Sequence, residues 1–97
     1  MSQIDASTLT RDVPIVNQRG LHARASAKFV AAVAKLPMGT HVKVAKDGME
    51  ADGGSILGLM MLGAAKGDTI EVIVKGEEAE AKLTKLVGLV MDGFGED

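Results

Sequence analysis

Val42-Lys43-Val44-Ala45-Lys46-Asp47-Gly48-Met49-Glu50-Ala51-Asp52 lies near the middle of the chain. Its apolar positions alternate up to Asp47-Gly48, a dipeptide suited to a two-residue hairpin turn because both of its positions tolerate positive φ. Val42 and Val44 therefore share one face of a strand, and Met49 to Asp52 returns beside it.

On the N-terminal side, Val13 and Ile15 alternate as a short strand that ends in the loop Asn17-Gln18-Arg19-Gly20. An Ala-rich helix follows from Ala23 to Leu36, with Phe29, Val30, Val33 and Leu36 on one stripe, and Pro37 with Gly39 closes it. On the C-terminal side, Gly53-Gly54-Ser55 opens a short helix to about Leu62, and residues 63–68 turn the chain. Ile70, Val72 and Val74 then alternate as the last strand. A final helix runs from Glu77 to about Met91, with Leu83, Leu86, Val87 and Val90 facing inward and Glu77, Glu78 and Glu80 suiting its N-terminus. The order β-α-β-β-α-β-α with alternating strands predicts an α+β fold. Its form is an open-faced β-sandwich: a four-stranded antiparallel sheet with three helices on one face. Residues 1–97 form one domain, with loose tails expected over 1–9 and 92–97.

The composition agrees with this size and narrows the function. A chain of 97 residues, 46% hydrophobic, supports one modest core. Phe29 and Phe94 are its only aromatic residues, so that core is aliphatic. There are no cysteines, hence no disulfide or thiolate metal site, which fits a reducing cytoplasm. The first residues lack the pattern of a signal peptide, and no stretch is long enough to insert into a membrane. A net charge of −2 and the lack of an aromatic platform argue against nucleic acid as a partner.

Chemistry concentrates at Gly20-Leu21-His22-Ala23-Arg24, where a strand hands over to a helix. The first turn of a helix carries amides without intrahelical partners, here those of Ala23, Arg24 and Ala25, and the helix dipole makes that end attractive to phosphate. His22 stands at or beside the N-cap and supplies a nitrogen nucleophile, while Arg24 can hold phosphoryl oxygens. Arg19, Arg24 and Lys28 form a basic rim that also reads as an ordinary solvated surface. His41 has no partner motif and is expected in solvent. The two histidines have no spacing that makes a metal site, and no cofactor is implied.

The short helix holds a second signal. Ser55 is a good N-cap. One face can bury Ile56, Leu59 and Leu62, which leaves Leu57, Met60 and Met61 as adaptable apolar surface.

Gly20-Leu21-His22-Ala23-Arg24 followed by Ser55-Ile56-Leu57-Gly58-Leu59-Met60 resembles the histidine-containing phosphocarrier proteins, HPr, of the bacterial phosphotransferase system. The resemblance extends from about Thr10 to Met91. It implies that His22 is phosphorylated on Nδ1 by the phosphohistidine of enzyme I, charged from phosphoenolpyruvate, and that the group passes to a histidine of an EIIA-type protein. The chain is then a carrier, not a stand-alone turnover enzyme. The resemblance also implies that Arg24 contacts the phosphoryl group and that Ile56, Leu57 and Met60 dock partners; from the residues themselves, Met61 of the apolar surface and Arg19 and Lys28 of the basic rim are expected to join that docking surface. Ser55 matches the serine phosphorylated by HPr kinase/phosphorylase. Where the family commonly has His-Ala-Arg-Pro, Ala25 stands in place of proline, giving up rigidity and supplying one more amide. Asn17 with Arg19 to Arg24 looks nearer to the nitrogen-related branch, NPr, which feeds a signalling EIIA. A monomer in the cytoplasm is expected. Two other classes remain open: a noncatalytic regulatory interaction module on the same fold controlled through Ser55, and a small-molecule-binding regulatory domain.

Overall fold

At Asp47 and Gly48 the backbone takes φ of 51° and 83°, the left-handed pair that a tight hairpin turn requires. The turn joins β2 (His41–Lys46) to β3 (Met49–Asp52), with Lys46 opposite Met49 and Val44 opposite Ala51. The structure, a computed structural model, describes residues 7–96. The remaining described strands are β1 (Thr8–Pro14) and β4 (Thr69–Lys75). All pairings are antiparallel, in the order β1-β4-β2-β3. The helices are α1 (Ala23–Ala34), α2 (Ile56–Met61) and α3 (Ala79–Met91), followed by a 3-10 turn at Gly93–Gly95.

One sheet face is apolar because the strand residues alternate. Val13, Val42, Val44, Ile70, Val72 and Val74 are all buried. They meet Leu83, Leu86, Val87 and Val90 of α3, which lies over β1 and β4. Phe29 and Ala25 of α1 complete the centre. Burying each larger aliphatic side chain contributes about 2 kcal/mol before entropy is counted. The opposite face carries Thr10, Asp12, His41, Lys43, Glu50 and Lys75, all exposed. His41 is thus in solvent, on the far side of the sheet from the helices.

Several boundaries differ from those expected. Thr8 and Leu9 belong to β1, paired with Lys75 and Val74, so the loose start over residues 1–9 is corrected at its last positions. Residues 1–6 and 97 lie outside the described residues. α1 stops at Ala34, two residues before Leu36, because Lys35 and Leu36 turn back onto the carbonyls of Ala32 and Val33. α3 starts at Ala79, not Glu77, because Glu78 takes a left-handed φ of 54°. The largest correction is at the expected tail over 92–97. There Phe94 is 1% exposed and locks residues 93–95 onto the body of the protein. α2 packs mainly against α1 and β3, not the centre of the sheet. It therefore encloses Leu59 and the capping Leu62, while Ile56, expected inside, stays 41% exposed.

Candidate functional site

The loop after β1 delivers a histidine to the start of α1. Gly20 (φ +64°) donates its N–H to the Asn17 carbonyl at 3.3 Å, and Leu21 donates to Ala64 O at 2.9 Å. His22 follows in extended conformation (φ −75°, ψ −178°) as the N-cap of α1. Its carbonyl accepts from Ser26 N at 2.9 Å, and buried Ser26 Oγ donates to Leu21 O at 3.2 Å, so the helix start is fastened to its entry loop.

Both nitrogens of the imidazole are engaged. Nδ1 accepts from Arg24 N–H at 3.2 Å, a cap made by the ring itself. Nε2 lies 2.8 Å from Glu96 Oε2. An acceptor at Nδ1 and a carboxylate at Nε2 assign the proton to Nε2 and the free lone pair to Nδ1. That lone pair points at the positive end of α1. Of the three amides expected to be available, Arg24's is therefore taken by Nδ1, while those of Ala23 and Ala25 have no partner among the described residues.

Glu96 is held from three sides. Its Oε1 accepts from Asn17 Nδ2 at 3.1 Å, and the same amide donates to Gly20 O at 2.9 Å. Phe94 is buried two residues earlier, and its carbonyl accepts from Lys28 Nζ at 2.7 Å. Desolvation, the largest single influence, raises the Glu96 pKa. Hydrogen bonds from Asn17 and from His22 Nε2, with the charge of Lys28 and that of the imidazole whenever it is protonated, outweigh it, and the carboxyl titrates below its ordinary value.

Arg19, Arg24 and Lys28 converge with Gln18, Gly95 and Glu96 on a cleft of about 380 Å³, joined to the imidazole through Glu96. The guanidinium groups of Arg19 and Arg24 are exposed and have no partner among the described residues. Lys28 also donates from Nζ to the Phe94 carbonyl at 2.7 Å, while its residue stays exposed on the cleft.

α2 presents the second feature. Ser55 caps it, with Oγ accepting from Gly58 N at 3.0 Å. Leu57 and Met61 are 68% and 67% exposed, with Met60 and Ile56 less open beside them at 40% and 41%. The helix packs against α1, the helix that His22 opens. Sequence reasoning missed Glu96 and the bonds of Asn17. The available signal was Phe94, a lone large aromatic in a stretch otherwise suited to a tail, in a chain whose core has little else of that size.

Three comparisons bear on this arrangement. Residues 9–92 match the family model described as the PTS HPr component phosphorylation site. The chain is 38% identical over 88 residues to phosphocarrier protein HPr of Cupriavidus necator, covering 91% of this chain and 97% of that one. It is 36% identical over 88 residues to phosphocarrier protein NPr of Shewanella violacea, covering 91% and 94% respectively. Among solved structures, HPr-C-His from Thermoanaerobacter tengcongensis superposes with a TM-score of 0.84 at 32% identity, over 92% of this chain and 98% of that one. Fold, length and sequence thus agree across nearly the whole chain, which belongs to the HPr family of phosphocarrier proteins of the phosphotransferase system.

Proposed function

We propose that the protein accepts a phosphoryl group on His22 Nδ1 from the phosphohistidine of enzyme I and passes it to a histidine of an EIIA-type protein. The observation that carries this reading is the orientation of the imidazole, with Nδ1 as acceptor at the helix N-terminus and Nε2 bound by Glu96. In the forward step the Nδ1 lone pair attacks phosphorus and the P–N bond to the donor histidine breaks. The bonding pair returns to the donor nitrogen. Such transfer between nitrogens needs in-line placement and charge stabilisation more than any metal. As the lone pair engages phosphorus, the Arg24 amide is released from Nδ1. It joins the amides of Ala23 and Ala25 as a donor to phosphoryl oxygens, and the Arg24 guanidinium supplies a charge-assisted contact.

Ile56, Leu57, Met60 and Met61 form the docking patch for both partners, with Arg19 beside the cleft meeting their acidic groups. Ser55 is the site of a regulatory phosphate added by an HPr kinase/phosphorylase. A dianion at that position leaves the fold intact, disturbs the neighbouring apolar contact and repels acidic partners, so it inhibits transfer from enzyme I. The carrier works as a cytoplasmic monomer, and no described helix is long and apolar enough to cross a membrane. Its similarity to an NPr as well as to HPr proteins supports service either to sugar uptake or to a nitrogen-related signalling EIIA.

The test is incubation with phosphoenolpyruvate and active enzyme I. An acid-labile phosphoryl adduct is expected in the wild-type protein and none in His22→Ala. Equal labelling of the two proteins removes His22 from the reaction.

A further inference from the structure

Glu96 reaches His22 from 74 residues away in sequence, on a segment that the fold immobilises. Phe94 is buried, although it takes a φ of 58°, a conformation that costs a non-glycine residue energy. Lys28 clamps its carbonyl, and Asn17, 1% exposed, donates from Nδ2 to the far oxygen of the Glu96 carboxylate. Three separate elements thus converge to hold one carboxylate against one ring nitrogen.

We propose that Glu96 is the positioning residue for the phosphoryl acceptor, holding the His22 proton on Nε2 so that Nδ1 is the nucleophile; this rests on the phosphocarrier reading of His22. A neutral imidazole in water distributes its proton between both nitrogens, and only the form with Nδ1 bare can attack from that atom. The carboxylate selects that form and fixes the ring plane, as carboxylates paired with histidine do elsewhere. It also compensates the positive charge that spreads over the ring as Nδ1 bonds to phosphorus and the proton stays on Nε2. Lying at the opposite nitrogen, it leaves the Nδ1 side open to the incoming dianion. Asn17 supports it by orienting the carboxylate, and the loop and the 3-10 turn are thereby joined across the site.

The experiment compares wild type with Glu96→Ala and Glu96→Gln. The ring 15N chemical shifts of His22 are recorded in the free proteins, and phosphoryl acceptance from enzyme I is timed in parallel. The wild type is expected to show the Nε2–H tautomer, and Glu96→Ala a mixture, with acceptance slowed about tenfold. Glu96→Gln retains an oxygen acceptor, so it restores the tautomer and part of the rate. Thermal melts establish that each variant is folded. Wild-type shifts in Glu96→Ala overturn the proposal, as does an unchanged rate despite a changed tautomer. Failure of the wild type to take phosphate from an active enzyme I instead removes the carrier reading. The 15N comparison, which uses no enzyme, still decides whether Glu96 sets the tautomer.

Discussion

Gly20 sits directly against the Ala64 carbonyl: a Cβ at Gly20 would overlap that oxygen and lie 2.9 Å from Ala65 Cα. The contact is between two backbones, with no flexible side chain to yield, and Gly20 also holds φ at +64°. Leu21 uses the same proximity to donate to Ala64 O at 2.9 Å, so this crossing sets the height at which His22 enters α1. Gly20→Ala is therefore expected to cost roughly 2–3 kcal/mol, from strain added to a displaced loop. Urea denaturation checks this. A loss under about 0.5 kcal/mol, the range of surface substitutions, means that the loop relaxes without cost.

Phe94 gives a second stability prediction. Its side chain is 1% exposed, and Phe94→Ala removes a ring from the core while leaving the same left-handed backbone to be held. The expected loss is about 3 kcal/mol, at the low end for such truncations because the short 3-10 turn that carries the ring can collapse onto the space it leaves. A thermal or urea melt that matches wild type contradicts the burial of this ring.

The alternation of Val42 and Val44, the Asp47-Gly48 turn and the stripe Leu83, Leu86, Val87 and Val90 were legible because each reports a local period against a buried face. His22 was legible for a similar reason, since a helix start follows from its neighbours. Glu96 was not, because its role depends on a contact across 74 residues that no local period encodes. The burial expected of Ile56 from spacing failed because spacing gives the face of a helix but not what lies opposite, and α2 packs beside the sheet. The carbonyl partner of Lys28 was not legible either, because a main-chain acceptor for a lysine leaves no mark in sequence.

At Ser55 the capping role and the proposed regulatory role separate by substitution. Ser55→Ala removes the acceptor that holds Gly58 N and is expected to cost about 1 kcal/mol. Ser55→Asp keeps a capping oxygen, so its stability stays near wild type while transfer from enzyme I falls. Melting curves and timed phosphorylation measure the two effects. Unchanged transfer in Ser55→Asp contradicts the inhibitory reading.

Arg24 is expected to show the opposite profile. Its guanidinium is exposed with no described partner, so Arg24→Ala leaves the melting temperature unchanged. Losing a charge-assisted contact to the phosphoryl group, worth about 1.5–3 kcal/mol, slows transfer roughly 10- to 100-fold. Transfer at the wild-type rate would assign the phosphoryl contact to the helix amides alone.

The Glu96 contact also makes a pH prediction whose sign follows from its lowered pKa. The groups facing the carboxylate are His22, Asn17 and Lys28, with Arg19 and Arg24 on the shared cleft. Because the folded carboxyl titrates below its unfolded value, the folded state holds fewer protons there than the unfolded chain does. Its stabilisation is complete above the unfolded range of about pH 4–5 and is lost as pH falls through the lower folded value. Glu96→Gln carries no such titration. The stability difference between wild type and Glu96→Gln should therefore shift progressively against wild type as pH falls below about 5. Urea melts at several pH values, with the 13C shift of the Glu96 carboxyl followed in parallel, supply the comparison. A difference that stays flat through the acid range, or a carboxyl that titrates at or above its ordinary value, means that the contact is too weak in solution to bias the ring.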